Sequence, residues 1–212
     1  MKLKTIKAVI FDLDGTLVNT DELVIRSYRE VFKKYRPNYK LSQEEEISFL
    51  GPTLKAMFSK YFKEDFAELL KTYQDFAFKN TKKYAFLYPN VEMILTYLNQ
   101  KGYIVGLVTS RFQKSLEEMF KHFDLKKYFT DIITLDDVNN PKPSPEGINK
   151  IIDKYHLKKN EVIYIGDNKT DYLASQSAEV YSGLVNWSQG RNNALLKPDL
   201  LIDDYAELKE IF

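Results

Sequence analysis

The sequence predicts an α/β fold: a doubly wound parallel sheet with helices on both faces, carrying an inserted all-helical module. Three observations lead there. Short apolar runs without alternation recur along the chain and read as strands buried on both faces. Amphipathic segments separate them, as right-handed crossovers between parallel strands require. One interval, from about Val18 to Ala85, holds helix-like segments and no convincing strand.

The elements follow in order. Ala8-Val9-Ile10-Phe11 is the first strand. Asp21 to Tyr35 is a helix stopped before Arg36-Pro37-Asn38, and Ser42-Gln43-Glu44-Glu45 has capping-box spacing. Gly51-Pro52 punctuates, Thr53 to Phe62 follows, and Asp65 to Thr81 is a longer helix whose aromatics read as core and cap packing. Val91 to Gln100 is a helix with Gly102 just past its end, Ile104 to Val108 a strand, and Lys114 to Phe123 a helix. Ile132 to Leu135 and Val162 to Ile165 are further strands. Between them Ser144 to Tyr155 is a helix with Ser144 as N-cap and Pro145 at its first position. The expected organisation is a core of residues 1–17 and 86–212 with a cap of residues 18–85.

Composition narrows the function. With 44% hydrophobic and 29% charged residues among 212, the chain is globular. Thirty-one basic against 30 acidic residues leave a net charge of +1, so no global field calls for nucleic acid or an anionic membrane. The lack of cysteine removes disulfides, thiolate nucleophiles and Cys-ligated metals. The apolar run after the basic N-terminus stops at Asp12, too short for a signal peptide. No stretch nears the roughly 20 apolar residues of a membrane span. A cytoplasmic protein is expected, monomeric or a weak homodimer.

The chemistry sits at strand ends, where open α/β sheets bind ligands. The first strand runs into Asp12-Leu13-Asp14-Gly15-Thr16, two carboxylates followed by backbone N–H groups and a hydroxyl that could meet an anion. On these residues alone a plain turn or a calcium loop remains open, though EF-hand spacing is missing. The second strand ends in Thr109-Ser110, followed by Arg111. Lys142 lies between Pro141 and Pro143, and Asp167 and Asp171 follow the fourth strand. Converging on one sheet edge, these groups suit a magnesium ion beside a phosphate. His122 and His156 fall on helical stretches away from that edge, so a Ser–His triad is not expected. Two adjacent carboxylates should have separated pKa values, one ionised as nucleophile and one available as acid.

The four segments resemble, in order and spacing, the motifs of the haloacid dehalogenase superfamily, and the helical interval resembles its C1-type cap. That resemblance implies Asp12 as nucleophile and Asp14 as general acid and base. It implies Thr109 and Lys142 on the phosphoryl group, with Gly15, Thr16, Ser110 and Arg111 contacting substrate. Mg²⁺ would be held by Asp12, Asp14 through its backbone carbonyl, Asp167 and, less directly, Asp171. The implied substrate is a small phosphorylated molecule.

Phe49 to Leu54, Leu135 to Val138, Lys142 to Glu146, Gly166 to Asn168 and Trp187 to Asp199 resemble the phosphoglycolate-phosphatase-like branch, and within it a bacterial pyrophosphatase type. That implies hydrolysis of diphosphate. Phosphoglycolate or another small phosphomonoester as substrate, or a β-phosphoglucomutase-type reaction, is the alternative. A diphosphate site is expected to have a small, polar and basic cap face over Asp12, with Arg111 and Gly51 to Thr53 as contacts. The loop of Trp187, Gln189, Gly190 and Arg191 is a further candidate lining. Ala178-Glu179 departs from the branch's usual Ala-Gly. Glutamate is uncomfortable at a left-handed helix end, so a different loop is expected there.

Overall fold

The computed structural model describes residues 5–188 and 195–212. Strand β1 (Ala8–Phe11) is followed by β2 (Val18–Asn19), then by helices α1 (Asp21–Tyr35), α2 (Gln43–Ile47), α3 (Leu54–Tyr61) and α4 (Phe66–Tyr84). The chain continues through β3 (Phe86–Leu87), α5 (Val91–Gln100), β4 (Ile104–Val108), α6 (Gln113–His122), β5 (Asp131–Ile133), α7 (Glu146–Lys154), β6 (Val162–Gly166), α8 (Lys169–Ala178), β7 (Tyr181–Val185), β8 (Leu200–Ile202) and α9 (Leu208–Ile211).

Six strands form one parallel sheet in the order β5-β4-β1-β6-β7-β8. β1 lies inside it with all four residues buried, because a strand covered on both faces has no side that must meet water. Its side chains alternate between two cores. Val9 and Phe11 join Ile94, Leu98, Leu116 and Leu208 on one face. Ala8 and Ile10 join Ile148, Ile151, Ala174 and Ala178 on the other. Phe11 is level with Leu107 of β4 and Ile165 of β6, so these three strands deliver their next residues to one edge.

The helices α1 to α4 have a third core, in which Tyr28, Phe32, Phe49, Phe58 and Phe62 pack together with Leu69. The Tyr28 and Phe49 rings stack at 4.3 Å. The capping box predicted at Ser42 is present, with Glu45 as its partner. Chain enters and leaves this module through an antiparallel ribbon, Val18 opposite Leu87 and Asn19 opposite Phe86. Strands of two residues are too short to show a sequence period, so neither β2 nor β3 was expected.

Other differences are local. Helix α7 begins at Glu146, with Pro145 as N-cap. The Ser144 hydroxyl still accepts from the Glu146 N–H at 3.3 Å, one residue out of the expected frame. Leu135 leaves β5 for a short 3-10 turn, and β8 is an unexpected sixth strand. Glu179 does adopt the left-handed conformation, φ 61° and ψ 34°, so the expected change of loop does not occur. Its N–H still closes α8 on Ser175 and Gln176 carbonyls, and Lys159 pairs with its carboxylate at 2.8 Å. No described helix is long and apolar enough to cross a membrane.

Candidate active site

The carboxyl ends of β1, β4 and β6 and the segment before α7 bring their polar residues together. Asp12 follows β1 and is 4% exposed; its N–H is held by the Ile165 carbonyl at 2.8 Å. Lys142 Nζ sits 2.6 Å from Asp12 Oδ1, 2.7 Å from Asp171 Oδ1 and 3.0 Å from the Tyr164 hydroxyl, so its three donors are all directed. Asp171 is buried in the first turn of α8. Its Oδ2 accepts the Asp167 and Asn168 N–H groups at 3.2 Å each, while Oδ1 also receives the Tyr164 hydroxyl at 3.0 Å. Its oxygens are committed to holding Lys142 and the turn around Asp167.

Asp167 accepts from Ser188 Oγ at 2.6 Å and from Asn168 Nδ2 at 2.7 Å. Oxygens of Asp12, Asp167 and Asp171 come within 4.8 Å of one another. Burial drives the carboxyls of Asp12 and Asp167 upward, each aided by neighbouring Asp171. For Asp12 the result is about 7 even with Lys142 pulling it down. Hard carboxylate oxygens crowded this closely are what a small divalent cation binds, so the donor set fits Mg²⁺. Asp12 and Asp167 are the carboxylates that would hold it.

Asp14 behaves differently. Arg111 grips it with two parallel bonds, Nε to Oδ2 at 2.7 Å and Nη2 to Oδ1 at 2.6 Å, and Thr20 donates to Oδ1 at 2.6 Å. Burial alone would raise its carboxyl. The guanidinium and these hydrogen bonds outweigh burial and hold it below the usual range. The two carboxylates are therefore split, but in the opposite sense to expectation: Asp12 is pushed up and Asp14 held ionised. The physical reason is Arg111, placed 97 positions along the chain from Asp14.

Gly15 takes φ +77°, and a Cβ there would lie 2.2 Å from Asp167 Oδ2. The turn needs glycine both for its conformation and for the approach of Asp167. Gly15 and Thr16 do not, however, present N–H groups to an anion: these donate to the Val18 and Leu13 carbonyls inside the turn, and the Thr16 side chain is fully buried. Thr109 is 4% exposed, and its hydroxyl accepts from the Arg111 N–H at 3.2 Å. Ser110 and Arg111 line the cavity. His122 and His156 are exposed and far from this edge in the fold.

A cavity of about 120 Å³ lies between this edge and the helical module, bordered by Asp12, Asp14, Ser110, Arg111, Lys142 and Asp167 on the sheet side. That is well below the roughly 300–1,000 Å³ of pockets that hold drug-sized ligands. It is small, as a diphosphate site should be, but its opposite wall is not basic. Val24, Tyr28, Phe49, Leu50, Pro52 and Tyr73 make it largely apolar, with Thr20, Asp21, Thr53 and Gln74 the polar residues of that side among the described lining. The apolar faces that build the helical core also supply the roof.

Three contacts escaped the sequence. Tyr164 sits in an all-apolar run, and its hydroxyl was the one available signal. Thr20 and Ser188 are small polar residues that reach the site only through the tertiary fold. Trp187 packs on Tyr88 and Tyr205 at 5.3 and 5.0 Å rather than standing as a free polar loop, and it is Ser188 that touches Asp167. Gln189, Gly190 and Arg191 lie outside the described residues.

Known proteins resemble this chain in sequence and in fold. Residues 9–185 match the family described as haloacid dehalogenase-like hydrolase. Pyrophosphatase PpaX of Bacillus cereus is 34% identical over 100% of this chain and 97% of its own length, and that of Bacillus anthracis is equally similar over the same shares. Among solved structures, a haloacid dehalogenase-like family hydrolase from Streptococcus pneumoniae aligns with TM-score 0.82 and 23% identity over 97% of this chain and 98% of its own. CbbY from Rhodobacter sphaeroides, in complex with phosphate, aligns with TM-score 0.82 and 22% identity over 96% of both chains.

Proposed function

The chain belongs to the haloacid dehalogenase-like hydrolase family, and from that premise we propose that it is a Mg²⁺-dependent phosphohydrolase working through an aspartyl-phosphate, with inorganic diphosphate as its substrate. The observation that carries the reading is the buried contact of Lys142 with Asp12, 2.6 Å, beside Asp167 at the mouth of a small cavity. In the first step an Asp12 oxygen attacks phosphorus and the bond to the leaving oxygen breaks; Asp14, ionised while Arg111 grips it, takes up a proton from solvent once that grip is released and passes it to the leaving oxygen. In the second, water attacks the aspartyl-phosphate, Asp14 takes its proton, and free phosphate and Asp12 return. Lys142 neutralises charge on the phosphoryl oxygens and on Asp12, and Asp171 and Tyr164 hold it in place. Thr109 supports the loop that carries Arg111. When bound, Mg²⁺ supplies positive charge against the phosphoryl oxygens and orients them.

In this reading residues 18–85 are a cap, hinged on the β2–β3 ribbon, that excludes bulk water from the aspartyl-phosphate. The relatives' name supports diphosphate, and the cavity's size agrees. The apolar roof favours a second reading, a small organic phosphomonoester. One assay decides: phosphate release from diphosphate, phosphoglycolate and sugar phosphates at equal Mg²⁺, with a chelator control and an Asp12→Asn variant. The expected result is at least a tenfold preference in kcat/KM for diphosphate, about 1.4 kcal/mol, with activity lost in chelator and in Asp12→Asn. A comparable preference for a monoester overturns the substrate; full activity in Asp12→Asn overturns the mechanism.

A further inference from the structure

We propose that Arg111 selects substrates bearing a second anionic group next to the scissile bond, and that this group takes the guanidinium over from Asp14. The inference rests on the phosphohydrolase reading and extends it to the class of substrate. Its basis is geometric. Arg111 and Lys142 are the cationic side chains among the described lining of the cavity, and Lys142 is engaged by Asp12 and Asp171. Across the cavity the described roof residues are mostly apolar and none of them is a cation.

Arg111 is 14% exposed and uses three nitrogens: Nε and Nη2 on the two oxygens of Asp14, and Nη1 on Ser115 Oγ at 2.9 Å. Ser115, in the first turn of α6, holds the guanidinium plane while leaving its carboxylate-binding edge to Asp14. That edge binds any planar or tetrahedral oxyanion by the same two parallel bonds. An incoming carboxylate or phosphate can therefore replace Asp14 without loss of hydrogen bonds at Arg111. A neutral group cannot, and would leave the Asp14–Arg111 pair closed.

The position of the exchange sets the distance. Asp14 serves the leaving oxygen, and Arg111 lies 2.6–2.7 Å from Asp14. The second anion must then be joined to the leaving oxygen directly or through one carbon. Diphosphate meets this condition with its second phosphorus, and a phosphorylated 2-hydroxy acid meets it with its carboxylate. Exchange at Arg111 frees the Asp14 carboxylate to turn toward the leaving oxygen, so the substrate's own charge opens the site to its reaction.

The test is a matched pair, phosphoglycolate against 2-hydroxyethyl phosphate, which differ in carboxylate against hydroxymethyl beyond the same phosphoryl ester. Wild type should favour phosphoglycolate in kcat/KM by about thirtyfold, the range of hydrogen bonds between charged groups. Arg111→Gln should reduce the preference to threefold or less, and Arg111→Lys, keeping charge without the fork, should fall between. A readout without turnover is titration calorimetry on the Asp12→Asn protein. Phosphoglycolate should bind at least tenfold more tightly than 2-hydroxyethyl phosphate, and Arg111→Gln added to Asp12→Asn should erase the difference. Hydrolysis of the two esters at equal efficiency by wild type overturns this inference and leaves the phosphohydrolase reading standing, as does a preference that survives in Arg111→Gln. Hydrolysis of neither ester nor diphosphate overturns both. The wild-type comparison is decisive even if a variant does not fold.

Discussion

Replacing Lys142 with methionine keeps the bulk of the side chain and removes its charge. Three buried partners then lose a donor: Asp12 at 2.6 Å, Asp171 at 2.7 Å and Tyr164 at 3.0 Å. Breaking a buried ion pair by deleting one partner costs about 3–5 kcal/mol, because the remaining charge is left uncompensated. Here two carboxylates depend on one ammonium, yet Asp12 has an escape. Its carboxyl already titrates at about 7 and can take up a proton. Without the lysine that value moves further up. A carboxyl raised in the folded state gives its full stability below the unfolded value, and that stability is lost as pH rises through the folded value. The Lys142→Met loss should therefore be about 3 kcal/mol at pH 6 and nearer 5 kcal/mol at pH 8 in chelated buffer. Added Mg²⁺ should shrink it by supplying the missing positive charge. Urea unfolding followed by fluorescence of Trp187, the one tryptophan, measures it, since that ring packs between Tyr88 and Tyr205. A loss under about 1 kcal/mol at pH 8, or an equal loss at both pH values, would refute the argument.

Two further substitutions test the backbone. Gly15→Ala puts a Cβ 2.2 Å from Asp167 Oδ2 at φ +77°, so it should cost about 2–4 kcal/mol and at least tenfold in kcat/KM for diphosphate. Gly102→Ala is its control: φ is +79° but no atom lies within 4 Å, so about 1 kcal/mol of stability and no activity should be lost. Equal effects of the two on activity would dissociate Gly15 from the site. Glu179→Gly relieves a left-handed residue at the end of α8 and should raise stability by about 0.5–1 kcal/mol, read as a Tm increase of roughly 1–4 °C. A lower Tm would mean that the ion pair with Lys159 outweighs the strain.

Where the fold was legible, a long physical pattern stood behind it. β1, β4 and β6 are unbroken apolar runs because both faces are covered, and Asp12, Thr109 and Asp167 each follow such a run, so their meeting could be anticipated from strand ends alone. β8 escaped because it is three residues long and Leu201 within it is 54% exposed, which leaves no run to see. The Arg111 grip on Asp14 escaped for another reason. Adjacent carboxylates announce a pKa split, but its sense depends on a cation that arrives from a distant helix start. Tyr73 reads as packing, and it does pack against the helical core; no pattern distinguishes such an aromatic from one whose edge also roofs a cavity. Gly15 and Thr16 misled because a Gly-Thr turn offers N–H groups in principle, while this turn spends them on itself.

The place of β1 in the sheet has a consequence for how the protein is made. This strand leaves the ribosome before either of its neighbours: Ala8 pairs with Ile104 on one side and Val162 on the other. At about 5–20 residues per second the second neighbour follows roughly 10–30 s later. Meanwhile α1 to α4 can assemble, since α1 and α4 pack within one continuous stretch of chain. Whatever the helices do, the nascent chain carries an entirely apolar strand with both of its hydrogen-bonding edges open. Such a strand is a template for pairing with other chains. Until translation passes Gly166, the segment that carries Asp12 is the part of the molecule with most need of a chaperone.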